Sequence, residues 1–118
     1  MVKGKKLPAT VVYINSDHMG RGDDELGALL MGNFLTTLGD FLHDVSHLLL
    51  VNAGVRLACE DSDKADILAM LEGSGVEILC CTTCLNHFNI KDRLKTGQVS
   101  NMFTIVEILT NARKVITP

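Results

Sequence analysis

Three of the chain's four cysteines, Cys80, Cys81 and Cys84, stand in one short run, Val76-Glu77-Ile78-Leu79-Cys80-Cys81-Thr82-Thr83-Cys84-Leu85-Asn86-His87. As thiolates, cysteines are nucleophiles or metal ligands, and both uses depend on what surrounds the sulfur. The run opens apolar with a β-branched bias and becomes polar and helix-compatible. It reads as a strand over Val76–Cys80 with Cys81 at its end, then a short helix over Cys84–Phe88 capped by Thr82 or Thr83. Side chains alternate along a strand, so Cys80 and Cys81 must face opposite ways. Cys80 falls in the set with Val76 and Ile78 and is expected in the core, where burial keeps a thiol inert. Cys81 is expected beside the amides of the following helix, which favour a thiolate. Cys84 completes Cys81-Thr82-Thr83-Cys84, a spacing that can close a disulfide in a tight turn. The expected order of reactivity is Cys81, then Cys84, with Cys80 and Cys59 behind.

Other chemistries fit these residues less well. Cys81, Cys84, His87 and Cys59 make a conceivable zinc set, but Cys-x2-Cys-x2-His lacks the second paired spacing that usually marks one, and no metal or cofactor is expected. His87, three residues after Cys84, shares a helix face with it and reads as an exposed histidine that can stabilise a thiolate. Thioredoxin chemistry places a cis-proline beside its Cys-x-x-Cys, whereas the only prolines here are Pro8 and Pro118. A phosphate-binding loop after the first strand is disfavoured by Asp17, Asp23 and Asp24, which would repel the anion.

The elements that must position the thiols follow from patterning. The chain has 118 residues, 47% apolar and 21% charged, with a net charge of −3. That is enough for one domain with a core and gives no electrostatic support for nucleic-acid binding. No stretch approaches the ~20 apolar residues of a membrane span, and no apolar leader follows the N-terminal lysines. A cytoplasmic location is therefore expected, with the cysteines reduced. Residues 1–9 read as a flexible arm and 10–118 as one domain. Thr10–Ile14, His47–Val51, Val76–Cys80, Gly97–Ser100 and Lys114–Thr117 are strand candidates. Leu26, Leu29, Leu30, Phe34, Leu35 and Leu38 recur at helical spacing after an Asp23 or Asp24 cap, in a helix long or broken near Gly39. Gly27 and Gly32 make sense where that helix lies close to the sheet or to a neighbouring backbone. A second helix runs from a Ser62 cap to Glu72, and another, capped by Ser100, carries Met102, Phe103, Ile105, Val106, Ile108 and Leu109. Residues 52–61 read as a loop whose apolar Val55 and Leu57 fold over a pocket or a partner subunit. Alternation of doubly buried strands with helices predicts a three-layer α/β/α sandwich on a mainly parallel five-stranded sheet.

With these residues in place, the chain resembles the DsrE-like sulfur-relay family, and most of all the C-terminal domain of YedF-type sulfurtransferase-like selenium metabolism proteins. The resemblance is carried by Gly22-Asp23, Glu25-Leu26-Gly27 and Leu30-Met31, by Asn52, Gly54-Val55 and Leu57-Ala58, by Gly75 to Leu79 leading into Cys81 and Thr83-Cys84-Leu85, and by Ser100-Asn101-Met102. It implies a DsrE-like fold. It also implies a carrier that holds sulfur, or selenium, as a persulfide on Cys81, with Cys84 resolving or holding it. Asn52, Thr82, Thr83 and Asn101 are implied as substrate contacts. Implied partners are sulfur donor and acceptor proteins, TusA-like ones among them, and further copies of the chain as a homo-oligomer. Thr82 stands where relatives usually carry Gly. YedF-type proteins also have an N-terminal TusA-like domain that this sequence lacks, so a separate donor protein is expected. The alternative is a non-catalytic oligomeric binding or assembly module on the same fold.

Overall fold

The computed structural model describes residues 7–118. Five strands, β1 (Thr10–Ile14), β2 (Val45–Leu50), β3 (Glu77–Cys81), β4 (Gln98–Ser100) and β5 (Lys114–Ile116), form one sheet in the order β4-β3-β2-β1-β5. Every neighbouring pair is parallel. Parallel neighbours need crossovers, supplied by helices α1 (Asp24–Leu38), α2 (Ala65–Gly73), α3 (Thr82–His87) and α4 (Met102–Asn111). Met31 and Leu35 of α1, Leu68 and Leu71 of α2 and Leu85 of α3 bury Val12, Ile14, Leu48, Leu50, Ile78 and Cys80. Ile105 and Ile108 of α4 bury the other face, Val11, Leu49, Val51, Leu79 and Cys81. The expected α/β/α layering is thus present, with three helices on one face and α4 on the other.

Several local expectations shift. Asp23 does cap α1, accepting the Leu26 N–H at 3.2 Å, and the helix stops at Leu38. Its buried face, however, is Gly27, Met31, Leu35 and Leu38, while Leu26, Leu29 and Leu30 are exposed. Gly27 explains the rotation: a Cβ there would sit 3.0 Å from the Met19 carbonyl oxygen and from the His18 Cβ, so α1 approaches the preceding loop through its glycine. Residues 52–58 are not an open loop but a 3-10 segment. Its Val55 and Leu57 pack into the chain's own core, and so provide no surface for a partner. The second helix starts at Ala65, three residues after Ser62, whose hydroxyl instead accepts the Lys64 N–H at 3.0 Å. Asn101 rather than Ser100 caps α4, and α3 starts at Thr82 with Cys81 in the cap position. Of the expected arm, residues 1–6 lie outside the described residues. Ala9 is held, donating to the Ser46 hydroxyl at 2.8 Å and accepting from the Arg113 N–H.

Candidate functional site

The pairing register lines up the carboxyl ends of the central strands: Ile14 beside Leu50, Leu50 beside Cys80, and Cys81 beside Ser100. A level edge of this kind leaves a crevice where the chain departs into the helical layer. Beyond β2 the chain stays extended for one residue, and the Val51 N–H donates to the Ile14 carbonyl at 3.0 Å. It then turns at Asn52, whose φ of 49° is a left-handed conformation that Asn adopts more readily than most residues. Gly54, two residues on, comes so close to β1 that a Cβ would lie 2.3 Å from the Ile14 carbonyl oxygen. Together these features hold the 3-10 segment against the sheet and turn the Asn52 N–H toward α3.

That N–H meets a thiol. Asn52 donates through its backbone to Cys84 Sγ at 3.0 Å. Cys84 lies in the first turn of α3 and is half-buried, packed against the hydrophobic clusters of both sheet faces. Cys84 lines a cleft of about 460 Å³ together with Asn52, Thr83, His87 and Phe88. Burial pushes the Cys84 thiol above its ordinary value, the Asn52 N–H pulls it down, and a hydrogen bond with the Cys81 side chain pushes it up again. An amide donor favours the anion because it satisfies the charged sulfur directly.

The four cysteines divide by depth. Cys80 is fully buried on the α1–α3 face and its thiol is pushed up to about 12, by burial first and by the neighbouring Cys59, Glu72 and Cys81. Cys81 is only 1% exposed and packs on the α4 face, so the two adjacent thiols do point apart as alternation requires. Cys59 is buried too, its thiol donating to the Val55 carbonyl at 3.6 Å, and burial then Asp61 raise it. The thiol that reaches the cleft is therefore Cys84, with Cys81 directly behind it.

Of the other residues implied as substrate contacts, Asn52 and Thr83 line the cleft with Cys84. Thr82 is half-buried in the first turn of α3 and is not part of that lining. Asn101 lies one residue beyond Ser100, the partner of Cys81, and its side-chain oxygen accepts the Thr104 N–H at 2.9 Å. His87 shares the cleft as its spacing predicts and stands edge-on to Phe88, with ring centroids 5.2 Å apart. Among the described residues no three His, Cys, Asp or Glu side chains are gathered to hold a metal ion. Sequence reasoning missed Arg56 and Phe88. The Arg56 guanidinium lies over the Phe88 ring, 4.2 Å from its centroid. The available signal was a lone charged residue between the apolar Val55 and Leu57, and an aromatic residue, Phe88, at the end of the Cys84 segment.

A model of the DsrE/DsrF-like family matches residues 12–118. No curated protein matches. Among solved structures, MTH1491 of Methanobacterium thermoautotrophicum, described as a protein of unknown function, is similar at 25% identity and a TM-score of 0.70, with 94% of this chain and 99% of that chain covered. The ychN protein of E. coli has 15% identity and a TM-score of 0.68, again with 94% and 99% covered. The conserved protein BT1422 of Bacteroides thetaiotaomicron has 17% identity and a TM-score of 0.67, with 92% and 94% covered.

Proposed function

The chain belongs to the DsrE/DsrF-like family, and from that premise we propose that it is a sulfur carrier working through Cys84 and Cys81, with sulfur entering on Cys84. The observation that carries this reading is the placement of Cys84 Sγ: in a cleft, hydrogen-bonded to the Asn52 N–H, with the Cys81 thiol behind it. In the loading step the Cys84 thiolate attacks the outer sulfur of a donor persulfide. The donor's S–S bond breaks, a new S–S bond forms at Cys84, and the donor leaves as a thiolate; nothing is oxidised or reduced overall. The Asn52 N–H stabilises the attacking anion, which burial otherwise disfavours. In the release step an acceptor thiolate repeats the same attack on the outer sulfur. Alternatively, Cys81 attacks the inner sulfur, giving a Cys81–Cys84 disulfide and hydrogen sulfide. The resemblance assigns the persulfide to Cys81, but depth favours Cys84, since exchange needs access to the sulfur.

The reading extends to selenium in place of sulfur and to the YedF-type proteins within the family, both resting on the residue resemblance. A TusA-like protein is then a natural donor, and the cytoplasm a compartment that keeps the thiols reduced. No described helix is long and apolar enough to cross a membrane. Self-association also belongs to the proposal, but on other residues than Val55 and Leu57. Phe103 is 76% exposed on α4, with Met102 and Val106 also exposed on that helix. An aromatic this open, with further exposed apolar side chains on the same helix, is characteristic of an interface. The same patch serves the alternative reading, an assembly module without transfer.

Intact mass after incubation with a persulfide donor tests the carrier. Wild type is expected to gain one sulfur atom that cyanide removes. Cys84→Ser is expected to gain none, and Cys81→Ser to load but to release hydrogen sulfide more slowly. Loading that survives Cys84→Ser and disappears in Cys81→Ser returns the persulfide to Cys81. No sulfur on wild type leaves the assembly reading.

A further inference from the structure

A group that delivers sulfur to Cys84 must occupy the cleft while it does so. The thiolate attacks along the S–S bond that it breaks, so the donor's body extends beyond the transferred sulfur, away from Cys84. Cys84 is packed against the hydrophobic clusters of both sheet faces, has Cys81 behind it and receives the Asn52 N–H at 3.0 Å. The cleft that it lines is therefore the side from which a donor arrives. Its volume of about 460 Å³ lies within the ~300–1,000 Å³ typical of small-molecule sites.

The lining of that cleft is mostly apolar, and among the described residues it includes no Lys, Arg, Asp or Glu. Charged side chains gather instead in a separate cleft of about 340 Å³, lined by Asp17, Asp61 and Asp63 with Arg56 and Lys64. Phe88 forms one wall beside the thiol. Its ring is held in place by the core cluster, by the Arg56 guanidinium 4.2 Å from its centroid and by the edge-on His87 ring. The Asn52 N–H is already engaged by the Cys84 sulfur. A charged group brought here loses water without meeting an opposite charge, whereas an apolar group gains in proportion to the area it covers.

We propose that the Cys84 cleft takes its sulfur from small persulfides whose carbon body is uncharged and apolar, with Phe88 as the specificity-determining residue against which that body packs. The proposal rests on the carrier reading and names its donor class. The Cys84 thiolate bonds to the donor's outer sulfur, the donor's S–S bond breaks, and the apolar thiol departs as a thiolate with the electron pair of that bond. Nothing is oxidised or reduced overall. Phe88 touches donor and departing thiol alike, so its effect falls on capture rather than on the S–S exchange.

Two pairs of probes separate recognition of the body from transfer of sulfur. Iodoacetamide and N-benzyl iodoacetamide alkylate by the same displacement of iodide and differ in one aromatic group. Their rate ratio at Cys84, read by peptide mapping and normalised to that for free cysteine, is expected to favour the benzyl reagent about threefold to tenfold in wild type. The advantage is expected to vanish in Phe88→Ala and to be partly kept in Phe88→Leu. Benzyl persulfide and para-carboxybenzyl persulfide share the reacting S–S bond and differ in one carboxylate. The uncharged one is expected to load wild type and His87→Gln faster by about tenfold or more. This second pair needs no Phe88 variant, so the donor class is tested even where Phe88→Ala does not fold. Equal loading by the two persulfides, or faster loading by the carboxylate, overturns the donor class while leaving the carrier intact. A benzyl advantage that survives both Phe88 variants overturns the role of Phe88. Loading of Cys84 by a protein persulfide but by neither small one overturns the donor class alone. No loading from any persulfide, on a Cys84 that alkylates normally, overturns the carrier reading as well.

Discussion

Replacing Gly54 with alanine links the fold to the thiol. The added Cβ would stand 2.3 Å from the Ile14 carbonyl oxygen, about 1 Å short of the 3.4 Å at which ordinary contact begins. Both partners are backbone, so no side chain can swing aside and the 3-10 segment must lift from β1. Overpacking of this kind costs ~1–3 kcal/mol. The same carbonyl accepts the Val51 N–H at 3.0 Å, and Gly54 itself donates to Val51 O at 2.9 Å. Straining that buried pair adds ~1–3 kcal/mol. Together a loss of about 2–6 kcal/mol is expected, the upper end of which a domain of this size survives only marginally. Asn52 moves with Gly54, and a lift of about 1 Å takes its 3.0 Å bond to Cys84 Sγ to the limit of hydrogen bonding. Cys84 then loses the interaction that lowers its pKa. Urea melts give the stability, and the pH dependence of Cys84 alkylation gives the thiol. Alanine at Gly73, where nothing lies within 4 Å of the new Cβ, is the control and is expected to be neutral or slightly stabilising. A Gly54→Ala protein within about 1 kcal/mol of wild type, with an unshifted Cys84 profile, would refute the reasoning from close approach to thiol activation.

Two further outcomes are expected. The Cys80 thiol rises from an ordinary 9.0 to about 12 on folding. A raised pKa contributes stability in full below 9 and loses it as pH climbs toward 12, so wild type should lose about 3 kcal/mol by pH 11 that Cys80→Ala does not lose; parallel stability curves for the two proteins from pH 8 to 11 would count against the burial of Cys80. Phe103→Ser removes the most exposed aromatic of the α4 patch, and light scattering at micromolar concentration is expected to show a smaller assembly than wild type; a monomeric wild type, or an unchanged assembly, moves self-association away from this helix.

Much of this arrangement was legible in the sequence because it rests on strand physics. Thr10–Ile14 and Val76–Cys80 are mostly β-branched or aliphatic, broken only by Tyr13 and Glu77, and such runs belong to strands covered on both faces. The opposed orientations of Cys80 and Cys81 followed from alternation alone. The rotation of α1 was not legible, since Leu26, Leu29 and Leu30 are as well spaced as Gly27, Met31, Leu35 and Leu38. Periodicity weighs side chains by their apolarity, and here the face that packs closest is marked by a residue with no side chain. Residues 52–58 were misread for a related reason: a short 3-10 segment has a period near three and too few turns to register. Arg56 over Phe88 joins two segments far apart in sequence, and no local pattern announces such a pair.

The depth of the two site cysteines has a general cause. A residue within a strand must direct its side chain to one sheet face or the other, and in a three-layer fold both faces are covered. Cys81, the last residue of β3, is therefore carried under α4 despite its place at the strand end. A residue one turn into the following helix is not bound by that alternation and can look into the gap between layers. Cys84 occupies that position in α3 and is met across the gap by the segment that leaves the neighbouring strand, β2, through Asn52. The Cys-x-x-Cys spacing thus joins a thiol that a donor can reach to one that solvent cannot. On the carrier reading proposed above, a sulfur captured on the first would sit beside a protected nucleophile on the second, and the choice between holding and releasing it would be made within the protein.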